Sequence, residues 1–191
     1  MRRPSLILMV KEPRPGRVKT RLGRDLGMTS AAWWFRHQTK ALIRRLRDPR
    51  WEIVLAVAPD RAGMESRIWP AELSRIAQGS GDLGDRMARV MAATSGPTVL
   101  IGSDIPAITK VHIARAFKAL GQAQSVIGPS PDGGFWLIGL KHPASTPSNM
   151  FSGVRWSHPE TRADTLPTLP QPVSFIDSLS DVDTVDDLNR A

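Results

Sequence analysis

Apolar and polar positions along the chain mark out strands and helices in turn. Ser5 to Val10 is an almost unbroken apolar run, the pattern of a first parallel strand covered on both faces. It stops at Lys11, and the stretch to Leu22 sets Pro13, Pro15 and Gly16 among five basic side chains, which reads as a loop. From Thr29-Ser30 to Arg47 the spacing predicts a helix, capped by Thr29 or Ser30, with Trp34, Leu42 and Leu46 facing the core. Asp48-Pro49 ends it, and Trp51 to Ala58 is a second buried strand that exits through Pro59-Asp60. Strand, helix and strand at this spacing form a βαβ unit.

Farther along, Leu73 to Ala77 is a short strand interrupted by polar residues, and a helix runs to about Ala93. Thr98 to Ile101 is another buried strand, and Thr109 to Leu120 a helix ended by Gly121. Ser125 to Gly128 and the run from Phe135 are strands joined through an Asp132-Gly133-Gly134 turn. His142 to Gln171 is rich in Pro, Ser and Thr and carries no readable period; 149–151 and 154–157 are candidates for an acceptor wall. Val173 to Ile176 reads as a strand, and Asp183 or Thr184 caps a last helix with Asp186-Asp187 in its first turn. Capping accounts for most of the acids there but leaves Asp181 and Asp183 partly unexplained.

Composition narrows the class. At 191 residues the chain suits one α/β domain. No apolar run approaches the roughly 20 residues of a membrane span, and Leu6 to Val10 is too short for a signal peptide, so a cytoplasmic protein is expected. There is no cysteine, which removes disulfides, zinc thiolates and iron–sulfur clusters. The net charge of +8 is uneven: residues 1–50 carry 14 Lys/Arg against 3 Asp/Glu, the remainder 12 against 15. The basic amino-terminal part should face an anion, with phosphates of a nucleotide, a nucleic acid or a membrane surface as candidates. Trp33, Trp34 and Phe35 interleave with basic residues, but no nucleic-acid-binding module surrounds them; core aromatics and a solvated basic face account for the pattern better.

Chemistry concentrates at the strand ends. Asp104 follows the strand Thr98 to Ile101, and ligands of open α/β sheets gather outside such ends. A lone carboxylate beside phosphates typically holds magnesium, so Asp104 reads as a metal ligand, with a turn aspartate as the alternative. The loop after the first strand reads as a phosphate cradle, although it lacks the second glycine of a Walker A loop. Gly79-x-Gly81-x-x-Gly84, with Asp104 twenty positions beyond, matches a dinucleotide fingerprint on paper. The weak strand before it and the charge of Asp82 inside it argue against pyrophosphate; Asp82 or Arg86 touching a nucleotide is preferred, beside a purely structural turn. At the second glycine turn, Gly133 and Gly134 would let backbone amides meet a substrate and Asp132 bond a hydroxyl. The four histidines lack ligand spacing, and no Gly-x-Ser-x-Gly elbow is present.

Five segments taken together resemble one family. They are Lys11-x-Pro13-x-Pro15-Gly16-x-Val18-Lys19-Thr20-Arg21-Leu22, Gly81 to Met87, Gly102 to Pro106, Asp132 to Gly139, and Asp181 to Thr184. In this order they are similar to bacterial glycosyltransferase-like proteins of the nucleotide-diphospho-sugar transferase superfamily (GT-A fold), related to 2-phospho-L-lactate guanylyltransferase. The resemblance implies a Rossmann-like three-layer α/β/α sandwich with a mostly parallel sheet, spanning residues 1–191 as one domain. It implies a metal-dependent transferase that moves a glycosyl group from a nucleotide sugar to a small-molecule acceptor. Guanylyltransferase-like nucleotidyl transfer is the alternative. Asp104 and Asp183 would hold Mg2+ or Mn2+, and Lys11, Gly16, Lys19, Thr20, Arg21, Asp82 and Arg86 would bind the nucleotide and its phosphates. Asp132 would be the base, and Gly133, Gly134 and Trp156 would meet the acceptor. The single acid in Ser103-Asp104-Ile105 departs from the Asp-x-Asp of many such glycosyltransferases. No nucleic-acid partner is expected, a homodimer stays open, and a nicotinamide-dependent oxidoreductase, a nucleic-acid-binding module or a transferase fold without turnover are the competing readings.

Overall fold

In the computed structural model, which describes residues 3–190, the strands are β1 (Ser5–Lys11), β2 (Glu52–Ala58), β3 (Ser74–Ala77), β4 (Thr98–Ile101), β5 (Ser125–Pro129), β6 (Phe135–Leu140) and β7 (Val173–Phe175). They form one sheet in the order β3-β2-β1-β4-β6-β5-β7. Only β6 runs against the others: it is antiparallel to both β4 and β5, whereas every other neighbouring pair is parallel.

The central strands are covered on both faces, as their unbroken apolar runs require. On one face Leu6, Leu8, Val99 and Ile101 pack with Leu42, Ile43 and Leu46 of α2 (Met28–Leu46) and Ile113 and Ala116 of α5 (Lys110–Ala119). On the other, Ile7 and Leu100 meet Met87, Val90 and Met91 of α4 (Leu83–Ala92), and Met150, Phe151 and Val154 from the irregular segment. Successive residues of β1 and β4 thus point to opposite cores, which makes the fold a three-layer, Rossmann-like α/β/α sandwich with a mostly parallel sheet. Among the described residues no helix is long and apolar enough to cross a membrane.

Several local expectations are corrected. The basic loop ends earlier than its prolines suggest, because a helix, α1 (Thr20–Leu26), begins directly after Lys19. Its Leu22 and Gly23 are buried, and a side chain at Gly23 would strike Met28, so close packing on α2 sustains a turn that local propensity does not announce. The cap of α2 is the Gly27 backbone, one position before the helix starts, in place of Thr29 or Ser30. Of the aromatic triplet only Phe35 is fully buried; Trp34 is partly so, and Trp33 lies 63 % exposed against His37. An unforeseen short helix, α3 (Asp60–Glu65), follows β2, and the unreadable segment contributes Met150, Phe151, Val154 and Leu169 to the core, two 3-10 turns, and a short helix, α6 (Thr161–Thr165). The last helix, α7 (Val185–Arg190), is capped by Thr184: its hydroxyl accepts from the Asp187 amide, and the Asp187 carboxylate accepts from the Thr184 amide.

Candidate functional site

The strand order turns back at β1, whose neighbours β2 and β4 both leave through connections that begin at their carboxyl ends. Crevices at such a point receive ligands. Here the crevice collects the loop after β1, the loop after β4 and the segment before α7. Arg45 of α2 holds the second of these, donating from Nε to the Ile108 carbonyl (2.8 Å) and from Nη2 to that of Pro106 (2.6 Å). From the other side the Val182 amide donates to the Asp104 carbonyl at 3.2 Å.

Lys19 sits in the left-handed region (φ 45°, ψ 48°), a strained conformation for a side chain other than glycine. Its side chain, 6 % exposed, reaches Asp104 Oδ2 and Asp183 Oδ1, both at 2.6 Å. Arg21, 71 % exposed, donates to Asp183 Oδ2 at 3.2 Å. Burial alone would lower the Lys19 pKa, but the facing carboxylates of Asp104 and Asp183 overcome it and hold the ammonium above its ordinary value. A third acid completes the group: one oxygen each from Asp104, Asp181 and Asp183 lie within 4.8 Å of one another. Burial, followed by the charges of Asp183 and Asp104, pushes the Asp181 carboxyl up to about 6.

This arrangement fits a hard divalent cation. Three carboxylate oxygens converge, oxygen is the ligand such ions take, and the Lys19 ammonium already stands as a positive charge between two of them. The crowding also has a cost that can be measured. Because the Asp181 pKa is raised on folding, the group opposes folding most strongly above about pH 6, and the penalty fades as pH falls toward the unfolded value near 4. Asp181→Asn should therefore stabilise the metal-free protein at pH 8 by about 1 kcal/mol, after allowance for solvent screening, with little gain at pH 4. Urea unfolding at the two pH values checks this; an equal gain at both would refute it.

Beside the acids lies a cleft of about 560 Å³. Its lining includes Arg21, Asp104, Asp181 and Asp183, apolar Met9 and Met87, and a wall from residues 130–136 and 156–161. A smaller hollow of about 290 Å³ holds Lys11, Arg17, Lys19 and Thr20, and shares Arg21, Asp104 and Asp183 with the cleft. Asp104, Asp183, Lys19, Arg21, Lys11 and Thr20, chosen from sequence, are thus brought to one place, whereas Gly16 lines neither hollow.

The glycine loops serve mainly the fold. Asp82 is the N-cap of α4 in a capping box with Asp85, and Trp156 Nε1 donates to its other carboxylate oxygen at 3.2 Å. Arg86 donates to the Gly81 carbonyl. Gly133, at φ +88°, is turned to the Pro159 carbonyl and away from the cleft; a Cβ there would lie 1.8 Å from that oxygen. The Gly134 amide is already taken by Asp132 Oδ1 at 3.0 Å. Gly134, Trp156 and Asp132 do line the cleft. Two titratable lining residues, Asp181 and His158, were given no role from the sequence. Asp181 had one signal, an acid that no helix cap required; the exposed His158 had none.

Residues 41–158 match a family described as "Uncharacterized protein conserved in bacteria (DUF2064)". None of the curated proteins matches the chain by sequence. Among solved structures, a provisionally assigned nucleotide-diphospho-sugar transferase from Desulfovibrio desulfuricans G20 is 31% identical, with 99% of this chain and 86% of that one covered and a TM-score of 0.86. The 4-diphosphocytidyl-2C-methyl-D-erythritol synthase of Anaerococcus prevotii is similar in fold (12% identity, 100% and 96% covered, TM-score 0.63). So is the manganese complex of Rv0371c from Mycobacterium tuberculosis H37Rv (15%, 99% and 97%, 0.54).

Proposed function

The chain belongs to the DUF2064 family of bacterial proteins, and on that premise we propose that it is a metal-dependent transferase acting on a nucleotide-linked donor, with glycosyl transfer from a nucleotide sugar as its reaction. The observation that carries this reading is the convergence of Asp104, Asp181 and Asp183, the first and last of them bridged by the Lys19 ammonium, at the carboxyl end of the sheet and open to the cleft. The Desulfovibrio desulfuricans relative supports the choice of a nucleotide-diphospho-sugar donor, and the manganese bound to Rv0371c supports a divalent ion.

In this reading the three aspartates would hold Mg2+ or Mn2+, which would supply Lewis-acid neutralisation of phosphate charge. Lys19 is released from its carboxylates toward the phosphates, and Arg21, which spends one nitrogen on Asp183, has donors left for phosphate oxygens. Lys11 and Arg17 extend the positive field along the smaller hollow. Together they stabilise charge that grows on a departing nucleoside diphosphate, and Asp132 takes the proton of the attacking hydroxyl. The same clamp would serve nucleotidyl transfer with pyrophosphate as the leaving group, a second reading compatible with the fold shared with the 4-diphosphocytidyl-2C-methyl-D-erythritol synthase. The whole chain acts as one domain, in the cytoplasm.

A thermal-shift panel of nucleoside diphosphates, triphosphates and nucleotide sugars, with and without Mn2+, tests the proposal. A donor at 100 times its dissociation constant should add about 2.7 kcal/mol of stability in the presence of metal. If no nucleotide raises the melting temperature with Mn2+ present, the donor-site reading fails.

A further inference from the structure

Resting on the transferase reading, we infer that the cleft wall formed by residues 130–134 and 157–161 receives an uncharged, hydroxyl-bearing acceptor and rejects phosphorylated ones. Among the described residues the cleft lining contains a single Lys or Arg, Arg21, and that guanidinium stands at the acid cluster, where the donor's phosphates take its free nitrogens. The wall itself offers Ser130, Asp132, Ser157 and His158. Of the two guanidinium groups that flank the 156–161 segment in sequence, Arg155 is tied through two nitrogens to Asp164 (2.7 and 2.8 Å), and Arg162 is not part of the lining.

What the wall does supply suits hydroxyl groups. Asp132 Oδ1 accepts from the Gly134 amide, and a carboxylate keeps lone pairs on its second oxygen for O–H donors. His158 Nδ1 accepts from the Glu160 amide at 3.1 Å, so the neutral ring carries its proton on Nε2 and is a donor there. Phe135 and Trp156, edge to face at 6.4 Å, add an apolar surface on which the C–H face of a sugar or polyol can lie. A phosphate monoester would instead bring negative charge beside Asp132 with no cation in the wall to answer it.

The wall is also preformed. The Ser130 amide donates to the Gly134 carbonyl, the Gly133 amide to that of Ser130, and the Arg162 amide to that of Gly133, which locks the 130–134 turn to the 157–162 segment. Binding there does not have to order a loop first.

The test uses the full chain with Mg2+ and a nucleoside diphosphate, and saturation-transfer NMR titrations of glucose, mannose and glycerol, each paired with its phosphate monoester. The neutral compound of each pair should bind about tenfold more tightly than its ester, and Asp132→Asn, which keeps the bond to the Gly134 amide, should erase most of that preference. Esters that bind as well as the neutral compounds, neutral compounds that do not bind while the nucleotide does, or an unchanged preference in Asp132→Asn would each overturn the inference. Failure of the nucleotide itself to bind would instead strike the transferase reading on which it rests, and the inference would fall with it.

Discussion

Asp104→Asn lowers the affinity for Mn2+ at least about 100-fold and abolishes the metal-dependent rise in melting temperature on adding nucleotide. The amide is a neutral and weaker ligand than the carboxylate, and losses of this order already follow from disturbing groups that only orient metal ligands. The fold should survive the change, because Lys19 keeps Asp183 as a partner at 2.6 Å and three crowded acids become two. With one of its charged neighbours gone, Asp181 should also titrate closer to an ordinary carboxyl. Electron paramagnetic titration of Mn2+ gives the affinity directly. Wild-type binding by the variant would mean that the cation is held elsewhere, and the clamp on the donor would then have no centre.

Gly133→Ala has the largest expected effect on stability. At φ +88° an alanine pays about 1–2 kcal/mol for its backbone alone. Its Cβ would also lie 1.8 Å from the Pro159 carbonyl oxygen, a backbone atom that cannot swing aside as a flexible side chain can. We expect a loss of at least about 3 kcal/mol, seen in a chain of this size as a fall of roughly 6–12 °C in melting temperature. Gly134→Ala is the control: the nearest atom to its Cβ is Asp132 Oδ1 at 3.2 Å, the end of a side chain, and its cost should stay below about 1 kcal/mol. Equal effects at the two positions would show that the interlock between the turn and the 157–162 segment does not hold the cleft wall.

These two cases show how differently the site's parts could be read from sequence. Asp104 was legible because an acid at the end of an apolar β-branched run needs no tertiary information to be placed outside a sheet. Gly133 was legible as a turn, but its neighbour was not: Pro159 lies 26 positions away, and only the fold turns its carbonyl onto the glycine. Asp82 is a different case, because its capping partner Asp85 lies three positions on and only its contact with Trp156 needed the fold. A glycine-rich string ahead of a helix suggested contact with a nucleotide, and local backbone bonding made the aspartate a helix cap.

The order of the strands and of the main helices between them, the burial of the strands on both faces and the basic character of the loop after β1 were all contained in the chain itself. Periodicity, turn residues and charge act over a few positions, and a linear reading captures them. Tertiary structure decided the reversed direction of β6, the helix after Lys19, the pairing of Lys19 with Asp183, more than 160 residues away, and the approach of Asp181 to Asp104. It also gave Lys19 two carboxylate partners, Asp104 and Asp183, that nothing near it in sequence announced. The reason is physical: a charge takes its role from whatever surrounds it after burial, and that surrounding is assembled from segments that have no local influence on one another.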